Sequence, residues 1–187
     1  MTAILELPEF RQRVSTLTVE EYDRLDEFNA KHNRTELIRG IVIEKMSKSP
    51  LHASIALRLV ELVPLLLPTG FHTRPDQPLR FADSVPEPDM AIVRGSRTEF
   101  RQTHPTIAAL VMEVAVSSVA LDREMASLYA EAGVEEYWII LAKDLAVEVY
   151  RKPIGGMYRE KIVMTSSEVL VSTAVPGFSV PVHEIFA

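Results

Sequence analysis

The chain has 187 residues, no cysteine, 47% hydrophobic and 25% charged residues, and a formal net charge of −6 at pH 7. That length suits one domain with a sizeable core, and the missing cysteines exclude disulfides and thiolate metal sites. The acidic balance argues against a protein that coats nucleic acid by bulk charge, while a local basic groove or bound cations leave a nuclease open.

Residues 1–16 read as a loosely ordered lead-in without the basic-then-apolar pattern of a secretory leader, followed by a single domain over 17–187. Thr18-Val19-Glu20-Glu21 has the spacing of a capping box and predicts a helix over about 19–30, with Tyr22, Leu25 and Phe28 on one face. Leu37-Ile38 and Ile41-Val42-Ile43 flank Gly40 as in a hairpin, and Ser49-Pro50 opens a second helix from near His52 to near Leu67. Strands are expected over about 71–74, 77–81, 89–93 and 108–116, then a third helix over about 122–132 stopped by Gly133. Further strands follow over about 136–141, 146–152 and 157–164, the last two joined at Gly155-Gly156, before a short tail after Pro176-Gly177-Phe178. The longest apolar run, about residues 62–68, is too short for a membrane span and contains Pro64 and Pro68, and the absence of cysteine fits a cytoplasmic protein, which is the expectation. This order of elements reads as one α/β domain, a mixed β-sheet flanked by helices.

Two acids stand out against their surroundings. Asp89 follows Pro88 and precedes Met90-Ala91-Ile92-Val93, and Glu113 interrupts Leu110-Val111-Met112 and Val114-Ala115-Val116. A carboxylate within an apolar strand is costly to bury unless a partner or a metal compensates it. Glu36, beside Leu37-Ile38, is a third acid of this kind. Magnesium prefers oxygen ligands and keeps several waters, so two or three carboxylates suffice to hold it against a phosphate. Each acid taken alone reads more readily as an exposed strand residue or an ion-pair partner, and it is the apolar run beside each of the three that raises them as a set.

His52 reads either as a phosphate or metal-water contact at a helix start, or as an exposed capping histidine. Arg94, Arg97 and Arg101, and likewise Arg151, Lys152, Arg159 and Lys161, either line a path for a phosphate backbone or are solvated loop and edge charges. Tyr129, Tyr137 and Trp138 have the spacing of core residues. The chain contains no His-Glu-x-x-His, no glycine-rich phosphate loop and no nucleophile elbow, which argues against zinc-protease, nucleotide-binding and serine-hydrolase classes.

Glu36-Leu37-Ile38-Arg39-Gly40, Ser49-Pro50-Leu51-His52, Pro88-Asp89, Val111-Met112-Glu113-Val114, the stretch from Tyr129 to Trp138, and Pro176-Gly177-Phe178 occur in a familiar order. In that order the chain resembles the Uma-type putative restriction endonucleases of the PD-(D/E)xK nuclease superfamily, over roughly residues 17–187. The resemblance implies a restriction-endonuclease-like core, a Mg2+ or Mn2+ site and hydrolysis of DNA phosphodiesters. It also implies Asp89 and Glu113 as metal ligands, Glu36 as a further acidic ligand, and a recurrent position for His52. The chain departs from the pattern where a lysine is expected: Ala115 stands two residues after Glu113, and Met125 stands four residues before Tyr129. Leu141 stands where an acid often follows the strand of Tyr137 and Trp138. Arg123 or Lys45 is the expected spatial substitute for the lysine, arginine serving as an electrostatic stabiliser rather than a proton acceptor.

The expectation is therefore a metal-dependent DNA endonuclease, acting without a membrane and as a homodimer suited to cutting two strands. The alternatives are a nuclease-fold protein that binds metal or nucleic acid without turnover, and a non-enzymatic assembly domain.

Overall fold

Thr18 and Glu21 cap the first helix reciprocally: the Glu21 amide donates to Thr18 Oγ1 at 3.2 Å, and the Thr18 amide donates to the Glu21 carboxylate at 2.8 Å. The computed structural model describes residues 9, 13–29 and 34–187, in two compact units, Met1–Lys45 with Ala82–Val85 and Met46–Phe81 with Pro86–Ala187. In the first unit the capped helix is α1 (Val19–Asn29). Val19 and Tyr22 pack on Leu37 and Val85, and the Tyr22 hydroxyl donates to the Thr35 carbonyl at 2.8 Å. Leu25, expected on the buried face, is 40% exposed because this small cluster ends one turn earlier. The side chain of Phe28, the helix end at Ala30 and most of the lead-in lie outside the described residues. The hairpin forms as expected from β1 (Thr35–Ile38) and β2 (Ile41–Glu44), with Arg39 and Gly40 at φ 51° and 76° as a two-residue turn requires.

The second unit holds a six-stranded sheet in the order β3 (Phe71–Pro75), β4 (Met90–Arg94), β5 (Leu110–Ala115), β6 (Glu136–Leu141), β7 (Ala146–Ile154) and β8 (Met157–Thr165). Every pair is antiparallel except β5–β6, the one pair joined by a helical crossover. The sheet is thus mixed, as the sequence implies, with helices packed on it.

Side-chain alternation divides the sheet into two faces. On one, α2 (Pro50–Leu66) lays Ile55, Leu59, Leu62 and Val63 over Met90, Ile92, Leu110, Met112 and Trp138. Ser49 caps this helix, its Oγ accepting from the His52 amide at 3.3 Å. On the other face, α3 (Val119–Glu131) covers Tyr137, whose hydroxyl donates to the Asp122 carbonyl at 2.9 Å. Tyr129, Tyr137 and Trp138 are fully buried, which is the core role their spacing indicates. Register places Glu113 opposite Ile139, and Ile139 opposite Glu148, so both acids lie on the α3 face.

Two expectations are corrected. Residues 77–81 form no strand: Pro78 has no amide to give a ladder, and the Leu79 and Arg80 amides donate instead to the carbonyls of Pro86 and Pro105. The end of the chain is more than a tail, since β9 (Val169–Val171) pairs with β10 (Ser179–Pro181) and leads into α4 (Val182–Ile185), with Leu170, Phe178, Val180 and Ile185 in the main core. Among the described residues no helix is long and apolar enough to cross a membrane.

The basic side chains of the sheet are largely committed to acids. Arg94 pairs with Glu135 at 2.5 Å, Lys152 with Glu160 at 2.6 Å and Lys161 with Glu148 at 2.9 Å. Glu148, only 3% exposed, also accepts from Arg123 and from the Tyr150 hydroxyl. Burial pushes its carboxyl up, but the hydrogen bonds from Arg123, Tyr150 and Lys161 outweigh that and hold its pKa at about 2. A folded-state pKa below the unfolded value gives stability that is present above about pH 4.5 and is lost as the pH falls toward 2. Glu148→Gln should accordingly cost roughly 2 kcal/mol at pH 7, the half-exposed Arg123 and Lys161 being able to rehydrate. Urea unfolding should show that difference shrinking between pH 4.5 and pH 2; a difference independent of pH would contradict the assignment.

Candidate functional site

The β4–β5 ladder stops at Met90 opposite Met112, because Pro88 has no amide to extend it, while β5 runs on to Ala115. In the space so opened the two strands are tied by carboxylates instead of carbonyls. The Asp89 amide donates to Glu113 Oε2 at 3.1 Å, and the Val114 amide donates to Asp89 Oδ2 at 2.8 Å. From α3, the Tyr129 hydroxyl donates to Glu113 Oε1 at 2.8 Å. From the first turn of α2, His52 Nε2 lies 3.0 Å from Asp89 Oδ2. Its Nδ1 is buried without a hydrogen-bond partner among the described residues, a polar atom left for water or a ligand.

Lys48 completes the group. Its Nζ donates to both Asp76 oxygens at 2.7 Å and lies 3.0 Å from Asp89 Oδ1. Asp76 follows β3 in a left-handed turn (φ 48°), and its amide donates to the Asp89 carbonyl at 3.4 Å. Burial pushes the Asp89 carboxyl up, but the His52 ring, the Val114 amide and the Lys48 ammonium outweigh it and hold the pKa below the usual range. Burial likewise pulls Lys48 down, and the hydrogen bonds and charges of Asp76 and Asp89 reverse this and raise it. Both groups are therefore charged at neutral pH.

Of the residues singled out from the sequence, Asp89, Glu113 and His52 come together here. Arg123 directs its guanidinium to Glu148, with contacts of 2.5 and 3.1 Å. Glu36 and Lys45 belong to the first unit, where they form an ion pair at 3.6 Å. Lys48 and Asp76 escaped the sequence reading, as did the polar role of Tyr129. A lysine just before a Ser-Pro helix start looks like an ordinary solvated charge. The signal for it was indirect, the lack of a lysine at both Ala115 and Met125.

Among the described residues no three acidic, histidine or cysteine side chains are grouped to hold a metal ion. Asp89 and Glu113 nonetheless offer hard oxygen donors on a rigid sheet, which suits a cation that keeps most of its waters.

The Uma2 family model, described as putative restriction endonuclease, matches residues 19–183. The chain belongs to this family. Asp89, Glu113 and His52 all lie within the matched span, as do Lys48 and Asp76. A solved structure, titled a putative nuclease belonging to DUF820 from Anabaena variabilis ATCC 29413, has the same fold, with a TM-score of 0.74. The match covers 91% of this chain and 97% of that one at 17% sequence identity. No curated protein matches. The Uma2 assignment and the shared fold agree with the α/β architecture and with a restriction-endonuclease-like nuclease.

Proposed function

We propose that the chain is a divalent-metal-dependent endonuclease that hydrolyses DNA phosphodiester bonds, with Asp89 and Glu113 holding Mg2+ or Mn2+. The observation that carries this reading is the crossed anchoring of two carboxylates, Glu113 accepting from the Asp89 amide and Asp89 from the Val114 amide, at the end of the β4–β5 ladder in a chain of the Uma2 family. When bound, the ion would supply Lewis acidity, polarising a phosphate oxygen and acidifying a nearby water.

The chain's own residues do the positioning. Val114 and His52 fix Asp89 through Oδ2, leaving Oδ1 turned to Lys48. Tyr129 and the Asp89 amide fix Glu113 through both of its oxygens. Carboxylates held in this way lose little freedom on loading, and the surrounding hydrogen bonds set their orientation. A cytoplasmic homodimer belongs to the same proposal, since a twofold axis presents one centre to each DNA strand.

Supercoiled plasmid tests the reading. With Mg2+ the wild type should nick it, and EDTA, Asp89→Ala and Glu113→Ala should each stop the reaction. Equal nicking by all three proteins, or nicking in EDTA, would sink it. A second reading, binding without turnover, draws on Ala115, on Met125 and on the commitment of Arg123 to Glu148. It predicts Mn2+ binding by a wild type that never nicks. A non-enzymatic assembly domain predicts neither.

A further inference from the structure

Lys48 is held unequally by its two acids. Asp76 grips the ammonium with both oxygens at 2.7 Å, whereas Asp89 meets it with Oδ1 alone at 3.0 Å. The other Asp89 oxygen is engaged by the Val114 amide and the His52 ring. Oδ1 is therefore the oxygen on which an incoming cation must displace something, and what it meets there is a tethered positive charge. Two cations cannot share one carboxylate oxygen at close range without strong repulsion, which falls only slowly with distance in a partly buried site.

We propose that Lys48 is a built-in counter-ion that competes with the divalent cation for Asp89, and that Asp76 is the tether that receives it when the metal loads. The inference rests on the metal-centre reading of Asp89 and Glu113. It gives Lys48 two states. Without metal, the ammonium neutralises a largely buried carboxylate that would otherwise carry an uncompensated charge. With metal, the ammonium swings off Asp89 and stays on Asp76, beside the centre, where a positive charge favours a DNA phosphate. It thus supplies a lysine to the site in a chain that has Ala115 and Met125 at the two expected positions.

The two partners should respond with opposite signs. Removing the competitor, by Lys48→Met or Lys48→Gln, should tighten Mn2+ binding about tenfold. Removing the tether, by Asp76→Asn, should press Lys48 onto Asp89 and weaken Mn2+ binding several-fold. In the Lys48→Met background the Asp76→Asn effect should vanish, because Asp76 acts through Lys48. Isothermal titration of the full chain with MnCl2, with Asp89→Ala as the blank and circular dichroism as the check on folding, reads the wild type, both Lys48 variants, Asp76→Asn and the double variant.

Opposite shifts in the single variants, with the double variant binding Mn2+ as tightly as Lys48→Met alone, support the proposal. Asp89-dependent binding in the wild type that both Lys48 variants leave unchanged or weaken overturns it, while the metal centre stands. An undiminished Asp76→Asn effect in the Lys48→Met background also overturns it, since Asp76 would then touch the metal itself. If the wild type gives no Asp89-dependent heat at all, the metal-centre reading falls and this inference falls with it.

Discussion

Glu136→Ala is expected to leave the protein unfolded, or nearly so, at ordinary temperature. Glu136 is fully buried at the start of β6, and its two oxygens organise six donor contacts. Oε1 accepts from Trp138 Nε1 at 2.8 Å and from Arg151 Nε at 3.0 Å. Oε2 accepts from Ser172 Oγ and the Thr173 amide at 2.8 Å, the Ala174 amide at 3.1 Å and Thr173 Oγ1 at 3.3 Å. Alanine would take from the mostly buried Arg151 its buried carboxylate partner, leaving it the Val171 carbonyl and a distant Glu160, and would orphan an indole N–H and two backbone amides at once.

A lost partner of a buried charge costs about 3–5 kcal/mol and each orphaned neutral donor about 1–3 kcal/mol, against a whole-domain stability of about 5–15 kcal/mol. The loss also frees the segment from Ser172 to Ala174, which leads to Val175 and Phe178 in the main core. Glu136→Gln keeps the shape and one oxygen but turns an amide N–H toward donors, so an intermediate loss of about 3 kcal/mol is expected. Denaturant unfolding measures both. A Glu136→Ala protein within about 1 kcal/mol of the wild type would contradict this role for the network.

The largest effect on activity is expected at Asp89. With Mg2+ and supercoiled plasmid, Asp89→Ala should lower the nicking rate by about a thousandfold or more, the scale on which removal of a transition-state stabiliser acts. Glu113→Ala should fall comparably, since each carboxylate supplies half of the proposed donor set. The fold should survive both changes. Lys48 keeps its bidentate contact to Asp76 when Asp89 is gone, and Asp89→Ala frees a single backbone amide, that of Val114. A melting temperature close to that of the wild type, measured beside the rate, separates a lost reaction from a lost structure.

How much of this is legible in the sequence depends on how local the cause is. Thr18 and Glu21, the Gly40 hairpin and the Gly155-Gly156 turn act over three or four residues, and each was readable. The apolar runs of β4, β5 and β6 were readable because strands covered on both faces have few polar positions. Residues 77–81 misled because their alternation resembles a strand while their amides are taken by loop carbonyls far away in the chain. The pair β9 and β10 is three residues a side, too short for alternation to register.

In the site, Asp89 and Glu113 stood out as acids in apolar surroundings, a signal that composition carries. Lys48 and Asp76 did not, because nothing within a few residues of either reveals that sheet order and a left-handed turn at Asp76 bring them to Asp89. Arg123 was within reach in sequence, but the register that sets Glu148 on the α3 face claims its guanidinium. Long-range register decides these cases, and a single sequence does not display it.

The most direct measurement is a crystal of the full chain soaked in MnCl2, with diffraction collected at the manganese absorption edge. The expected result is an anomalous peak in contact with oxygens of both Asp89 and Glu113, with Lys48 moved off Asp89 Oδ1 and still bonded to Asp76. A saturated soak that leaves no peak between those two carboxylates, or places manganese only elsewhere, would contradict the metal centre on which the proposed nuclease rests.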